Sequence, residues 1–129
     1  MPLIAIDVLR HRTPDELRLL LDTVHEAMVE AFEVPDTDRY QVLTQHEPGE
    51  LVLLDTDLGF ERSERVVVIR VTSRQRTSEA KQAFYRLLAT RLQERCGVSP
   101  ADLMVSIVEN GPDDWSFGGG VAQFVTGDL

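Results

Sequence analysis

The chain has 129 residues, 43% of them hydrophobic, with 13 basic against 22 acidic side chains and a formal net charge of −9. That length and apolar content fit one globular domain over residues 1–129 with its own core, and no run approaches the roughly 20 apolar residues of a membrane span. The acidic balance argues against nucleic acid and anionic membranes as partners, which are bound by basic patches, but leaves small anionic substrates open, because they sense only the local field of a pocket.

LIAIDV, from Leu3 to Val8, reads as a buried strand, apolar on both faces. Pro2 stands directly before it. Proline is tolerated at the first residue of a strand, where it removes one ladder donor. A sharper reading starts from Met1, which is usually removed before a small residue. Pro2 would then be the amino terminus, a rigid secondary amine able to serve as base, acid or nucleophile. Asp7 and Arg10 interrupt this first apolar run and no basic segment precedes it, so it does not read as a secretory signal.

Thr13-Pro14-Asp15-Glu16 is a capping box with proline at the first helical position. Leu17, Leu20, Leu21, Val24, Ala27, Met28, Ala31 and Phe32 then follow helical spacing. After a VPD turn, Asp38 leads into YQVLTQH, a second strand. A carboxylate there is commonly a turn or cap residue. LVLLD (51–55) reads as an edge strand or hairpin, and DLGFERSE (57–64) as a short polar linker. VVVIRVTS follows as a strand, then a helix from about Ser78 to Cys96, then LMVSIVEN. The GGGVAQFV tail (118–125) reads as another short strand or hairpin. Cys96, the single cysteine, excludes an internal disulfide framework, fits a reducing cytoplasm and reads as structural. His11, His25 and His46 lie far apart without metal-ligand spacing and read as surface or loop residues.

The chain repeats itself at an offset of 64, which sets Arg12 on Arg76, Thr13 on Thr77, Val34 on Val98, Asp38 on Asp102 and Pro48 on Pro112. The same offset aligns the predicted elements, giving two strand–helix–strand units at about 1–56 and 65–120. Each crossover implies parallel pairing and a right-handed connection. The expected fold class is therefore α/β (α+β): a duplicated β-α-β unit with a four-stranded core sheet and two helices on one face. Pro2 aligns with Val66, so the architecture does not itself demand proline there.

SRQRT (73–77) lies between a strand end and a helix cap. Arg74 and Arg76 alternate, so in an extended segment they project to one side, where they can clamp a carboxylate. The helix N-terminus beyond them also favours an anion. The competing reading is a solvated basic turn. In DWSF (114–117), Trp115 and Phe117 share one side of an extended piece, as core, pocket wall or subunit contact.

An amino-terminal proline on the first strand of a duplicated β-α-β chain resembles the tautomerase superfamily. Pro2, DRYQV (38–42), TQH (44–46), DTDLGFERS (55–63), SRQRT (73–77) and SIVENGPDDWSFGGGVAQF (106–124) narrow the resemblance, across essentially the whole chain, to its malonate semialdehyde decarboxylase family. That resemblance implies a catalytic set of Pro2, Asp38, Arg74 and Arg76, an aromatic wall of Trp115, Phe117 and Phe124, and a homotrimer. It also implies a small anionic oxo-acid substrate, decarboxylated without metal or organic cofactor. A Pro2 ammonium would polarise the aldehyde, with an iminium as the second route, while the arginines hold the carboxylate. The same residues suit a keto–enol tautomerase, or a hydratase or dehalogenase of unsaturated 3-halo acids. A trimeric binding or scaffold protein is the reading of another class.

Overall fold

The computed structural model describes residues 1–129. Strand β1 (Leu3–Leu9), helix α1 (Pro14–Phe32) and strand β2 (Tyr40–His46) form one unit. Strand β3 (Val67–Arg74), helix α2 (Ser78–Cys96) and strand β4 (Leu103–Asn110) form the next, and a one-turn helix α3 (Gln123–Thr126) follows. The sheet order is β2-β1-β3-β4, with β1 parallel to β2, β3 parallel to β4 and β1 antiparallel to β3. The central register pairs Leu3 with Thr72 and Val8 with Val67. Exchanging positions across the 64-residue offset carries each of these pairs onto the other.

Local chemistry explains the helix starts. Thr13 Oγ1 accepts from the Glu16 amide at 3.2 Å, and Glu16 Oε1 accepts from the Thr13 amide at 2.9 Å. Thr77 caps α2 through one such bond alone, its Oγ1 accepting from the Ala80 amide at 3.1 Å. Both helices pack on one sheet face. Ile4, Ile6 and Val8 of β1 and Val67, Ile69 and Val71 of β3 meet Leu20, Val24, Met28 and Phe32 of α1 and Phe84, Leu88 and Leu92 of α2. The opposite face is open. It carries Leu3, Tyr40, Val42, Met104 and Val108, all well exposed.

Three local expectations are corrected. LVLLD forms no strand. Its side chains alternate in burial, but it pairs with no strand of the sheet, and the Leu54 carbonyl accepts from Arg62 Nε at 3.0 Å instead. The tail makes a helical turn. Gly118, Gly119 and Gly120 all have positive φ, which breaks an extended run, and the Gln123 side chain clasps the Phe117 amide and the Gly118 carbonyl. Finally, His25 is buried in α1, its Nε2 donating to the Asp36 carbonyl at 2.8 Å.

Candidate active site

The sheet topology brings the sequence-separated candidates together. Because β1 runs parallel to β2 and antiparallel to β3, the starts of β1 and β2 lie at the same end of the sheet as the ends of β3 and β4. Pro2 and Asp38 precede β1 and β2, Arg74 ends β3 opposite Asn110 of β4, and Arg76 follows in the turn before α2. A cleft of about 500 Å³ opens there, lined by Arg74, Gln75, Arg76, Asn110, Gly111 and Pro112.

The two arginines are held differently. Arg76 donates from Nε to Ser73 Oγ at 3.1 Å and from Nη1 to the Phe32 carbonyl at 3.4 Å, with its guanidinium 5.2 Å from the centre of the Phe32 ring. Its Nη2 is left unpaired. Arg74 lies 4.5 Å over the Phe124 ring and has no hydrogen-bonded side-chain partner. Two guanidiniums with free N–H groups therefore share one concave, polar cleft, an arrangement whose natural complement is a carboxylate. The turn between them is braced by Glu109, whose Oε2 accepts from the Arg76 amide at 2.8 Å and lies 3.0 Å from Lys81 Nζ. These two bonds hold the Glu109 carboxyl below the usual range.

Pro2 is buried. With Met1 in place, the terminal amine belongs to Met1, and its neighbours identify the surroundings. Burial pushes its pKa below the ordinary 8.0, Arg76 and Arg74 push the same way, and Asp38 opposes them. The chain terminus, Asp38 and both arginines thus share one electrostatic neighbourhood. Asp38 is itself buried, and its Oδ2 has no hydrogen-bond partner. A buried carboxylate oxygen without a partner costs stability, so it marks a place where a ligand's donor is expected.

The aromatic candidates form a connected wall. Trp115 stacks on Phe117 with ring centres 5.3 Å apart, and Phe117 meets Phe124 edge-on at 5.5 Å. Tyr40 extends the wall, 5.5 Å from Phe117. Trp115 Nε1 donates to Asn110 Oδ1 at 2.7 Å, tying the wall to the arginine cleft. Leu3, Tyr40, Thr72, Trp115 and Phe117 border an adjoining pocket of about 320 Å³. The structure therefore gathers Pro2, Asp38, Arg74, Arg76, Trp115, Phe117 and Phe124 at one end of the sheet. Sequence reasoning missed Ser73, Asn110, Glu109 and Tyr40. Only Tyr40 and Ser73 carried a signal, through their places beside Asp38 and Arg74.

Comparison with known proteins finds relatives over the whole chain. Two family descriptions, both reading tautomerase enzyme, match the chain over residues 2–61 and 38–118. The probable tautomerase YrdN of Bacillus subtilis (strain 168) is 51% identical over 129 residues, covering 100% of both chains. A malonate semialdehyde decarboxylase, solved in wild-type, mutant and inactivated forms and described as having decarboxylase and hydratase activities, superposes with a TM-score of 0.96. It is 52% identical, with 98% of each chain covered. A second, FG41 malonate semialdehyde decarboxylase inhibited by 3-bromopropiolate, gives a TM-score of 0.94 at 43% identity, covering 98% of this chain and 97% of that one.

Proposed function

The chain belongs to the tautomerase superfamily of enzymes, and on that premise we propose that it decarboxylates malonate semialdehyde, using Pro2 as its amino terminus once Met1 is removed. The observation that carries this reading is the pair of guanidiniums with free N–H groups, Arg74 and Arg76, on one cleft beside the chain terminus and the buried, unpartnered Asp38 oxygen. Malonate semialdehyde carries a carboxylate and an aldehyde one carbon apart. The arginines take the carboxylate and turn it out of the carbonyl plane, so that the breaking C–C bond overlaps the π system. The electron pair of that bond moves onto the aldehyde oxygen as CO2 leaves, and the Pro2 ammonium stabilises the resulting enolate. Protonation at carbon then gives acetaldehyde. The aromatic wall keeps water from the carboxylate and weakens its solvation.

The amine's protonation state links binding to chemistry. In the free site burial, and after it the two arginines against Asp38, lower the pKa of the Met1 amine, and the nitrogen of a processed Pro2 would have the same neighbours. A bound carboxylate offsets the charge of the arginines, which raises the amine's pKa and favours its protonated form as substrate binds. The lowered value also favours a second reading. A neutral Pro2 is a general base, and with Arg76 beside it the site becomes a keto–enol tautomerase of 2-oxo acids. Catalysis in either reading is assigned to a homotrimer that covers the open sheet face.

The test is intact mass followed, on the same sample, by NMR of malonate semialdehyde. Loss of Met1 with acetaldehyde and CO2 appearing supports the decarboxylase. A processed terminus with no turnover of this substrate, but with enol–keto conversion of a 2-oxo acid, transfers the assignment to the tautomerase. A retained Met1 with neither reaction leaves a scaffold with an idle site.

A further inference from the structure

The turn that delivers Asp38 to the site occurs twice in the chain. The Asp38 amide donates to the Pro35 carbonyl at 2.9 Å, and at the 64-residue offset the Asp102 amide donates to the Ser99 carbonyl, also at 2.9 Å. The two aspartates are nevertheless held in opposite ways. Asp102 is anchored by its own carboxylate, which accepts from the Ser63 amide at 2.6 Å and from the Ser63 hydroxyl at 2.5 Å. Asp38 instead keeps its Oδ2 buried without a partner. A carboxylate that stays free for a ligand has to be placed through its main chain.

An imidazole supplies that hold. His25 of α1 is 4% exposed, and its Nε2 lies 2.8 Å from the Asp36 carbonyl and 3.2 Å from Asp36 Oδ1. Both neighbours are acceptors, so Nε2 carries a proton. The Asp36 carbonyl belongs to the central peptide of the Pro35–Asp38 turn, whose tilt sets how the chain leaves at Asp38. Beyond the turn, Arg39 is tied to Asp22 at 2.7 Å and Gln41 to the Leu21 carbonyl at 2.8 Å. The fold itself does not demand an imidazole, because the second unit has Ala89 at the matching position. His25 Nδ1 is buried with no partner, a cost that an apolar residue avoids.

We propose that His25 is a positioning residue of the active site, holding the Asp36 carbonyl so that the Asp38 carboxylate keeps its place while remaining open to a ligand. The inference rests on the reading of Asp38 as part of the site, but not on which reaction runs there. Its effect is felt at the chain terminus. Burial, Arg76 and Arg74 lower the pKa of the Met1 amine, and Asp38 raises it. A carboxylate that slips from its place gives that amine less support.

The readout is the titration of the terminal amine, whichever residue bears it, followed by NMR at its α-carbon in ¹³C-labelled protein. His25→Phe removes the donor and keeps a ring. Its midpoint should move to lower pH, in the direction that Asp38→Asn moves it. His25→Gln, whose amide reaches the place of Nε2, should return the parent's midpoint. Adding His25→Phe to Asp38→Asn should give no further shift, since the carboxylate through which His25 acts is already gone. A His25→Phe midpoint equal to the parent's, while Asp38→Asn still moves it, overturns the proposal alone. So does a glutamine that shifts as far as phenylalanine, or a full shift in the Asp38→Asn background. If Asp38→Asn itself leaves the amine unmoved, Asp38 lies outside the site and the proposal falls with that assignment. Circular dichroism checks folding. If His25→Phe does not fold, His25→Asn, whose amide is too short to reach Asp36, takes its place.

Discussion

At the scale of single residues, the amine and Arg76 carry the sharpest expectations. Burial and two arginines hold the Met1 amine below its ordinary value of 8.0, and the same surroundings should lower the amine of a processed Pro2. If the charged amine does the work, kcat/KM should be highest at low pH and fall as pH rises through that lowered value. For kcat the fall should come at higher pH, because bound carboxylate removes the repulsion that lowered the pKa. A rate that instead rises through the same pH region means a neutral amine, and assigns Pro2 to base or iminium chemistry. Arg76→Ala should lower kcat/KM by about ten- to a hundredfold, the worth of a charged hydrogen bond to the substrate. Because Arg76 rests on Ser73 Oγ and the Phe32 ring rather than filling the core, its loss should leave the circular dichroism spectrum unchanged.

At the scale of elements, the turn from β3 into α2 positions the arginines, and Glu109 of β4 holds that turn. Glu109→Gln removes the charge that pairs with Lys81 and weakens the bond to the Arg76 amide. Substrate affinity should fall several-fold, seen as a raised KM, while kcat stays close to the parent, because no reacting atom is touched. An equal loss in kcat would place Glu109 in the chemistry itself. This brace shows what the sequence conveyed and what it did not. The capping box and helical spacing of α1, and the helix cap that follows SRQRT for α2, set both helices almost to the residue, since those signals are local. Arg74 and Arg76 stand out by alternating before a helix cap, yet by themselves they read equally as a solvated turn and Asp38 as a turn or cap residue; the resemblance to the tautomerase superfamily is what singled the three out. Glu109 was not legible, because its role depends on pairing between β3 and β4 that places Arg74 opposite Asn110. LVLLD failed for a related reason: alternation describes a strand's faces, while a strand also needs backbone pairing with a neighbour, which local sequence does not report. His25 looked like a surface residue because the apolar spacing of α1 does not reveal that the chain after the helix folds back over it, bringing the Asp36 carbonyl to its ring.

At the scale of the whole molecule, the helix-free sheet face bears on both assembly and activity. Leu3 of β1, Tyr40 and Val42 of β2 and Met104 and Val108 of β4 expose apolar surface on that face, and Val108 is 63% exposed. Such a face on a small acidic chain is covered most economically by copies of itself, since burial of apolar surface drives association. The same face reaches the site, because Leu3 and Tyr40 border the aromatic pocket and Tyr40 packs against Phe117. Assembly and catalysis are therefore expected to be coupled. Val108→Lys puts an unpaired ammonium where a neighbouring chain should pack, at a cost of several kcal/mol per buried charge. Sedimentation equilibrium should give three times the chain mass for the parent and a smaller species for the variant. Turnover should fall with dissociation, although Val108 lies outside the cleft. Because Val108 is exposed in the single chain, its replacement should not disturb the core, and an unchanged circular dichroism spectrum checks that. A variant that keeps the parent's mass would show that this face is not where the subunits meet. One that dissociates with full activity would show that a single chain holds its aromatic wall in place without help.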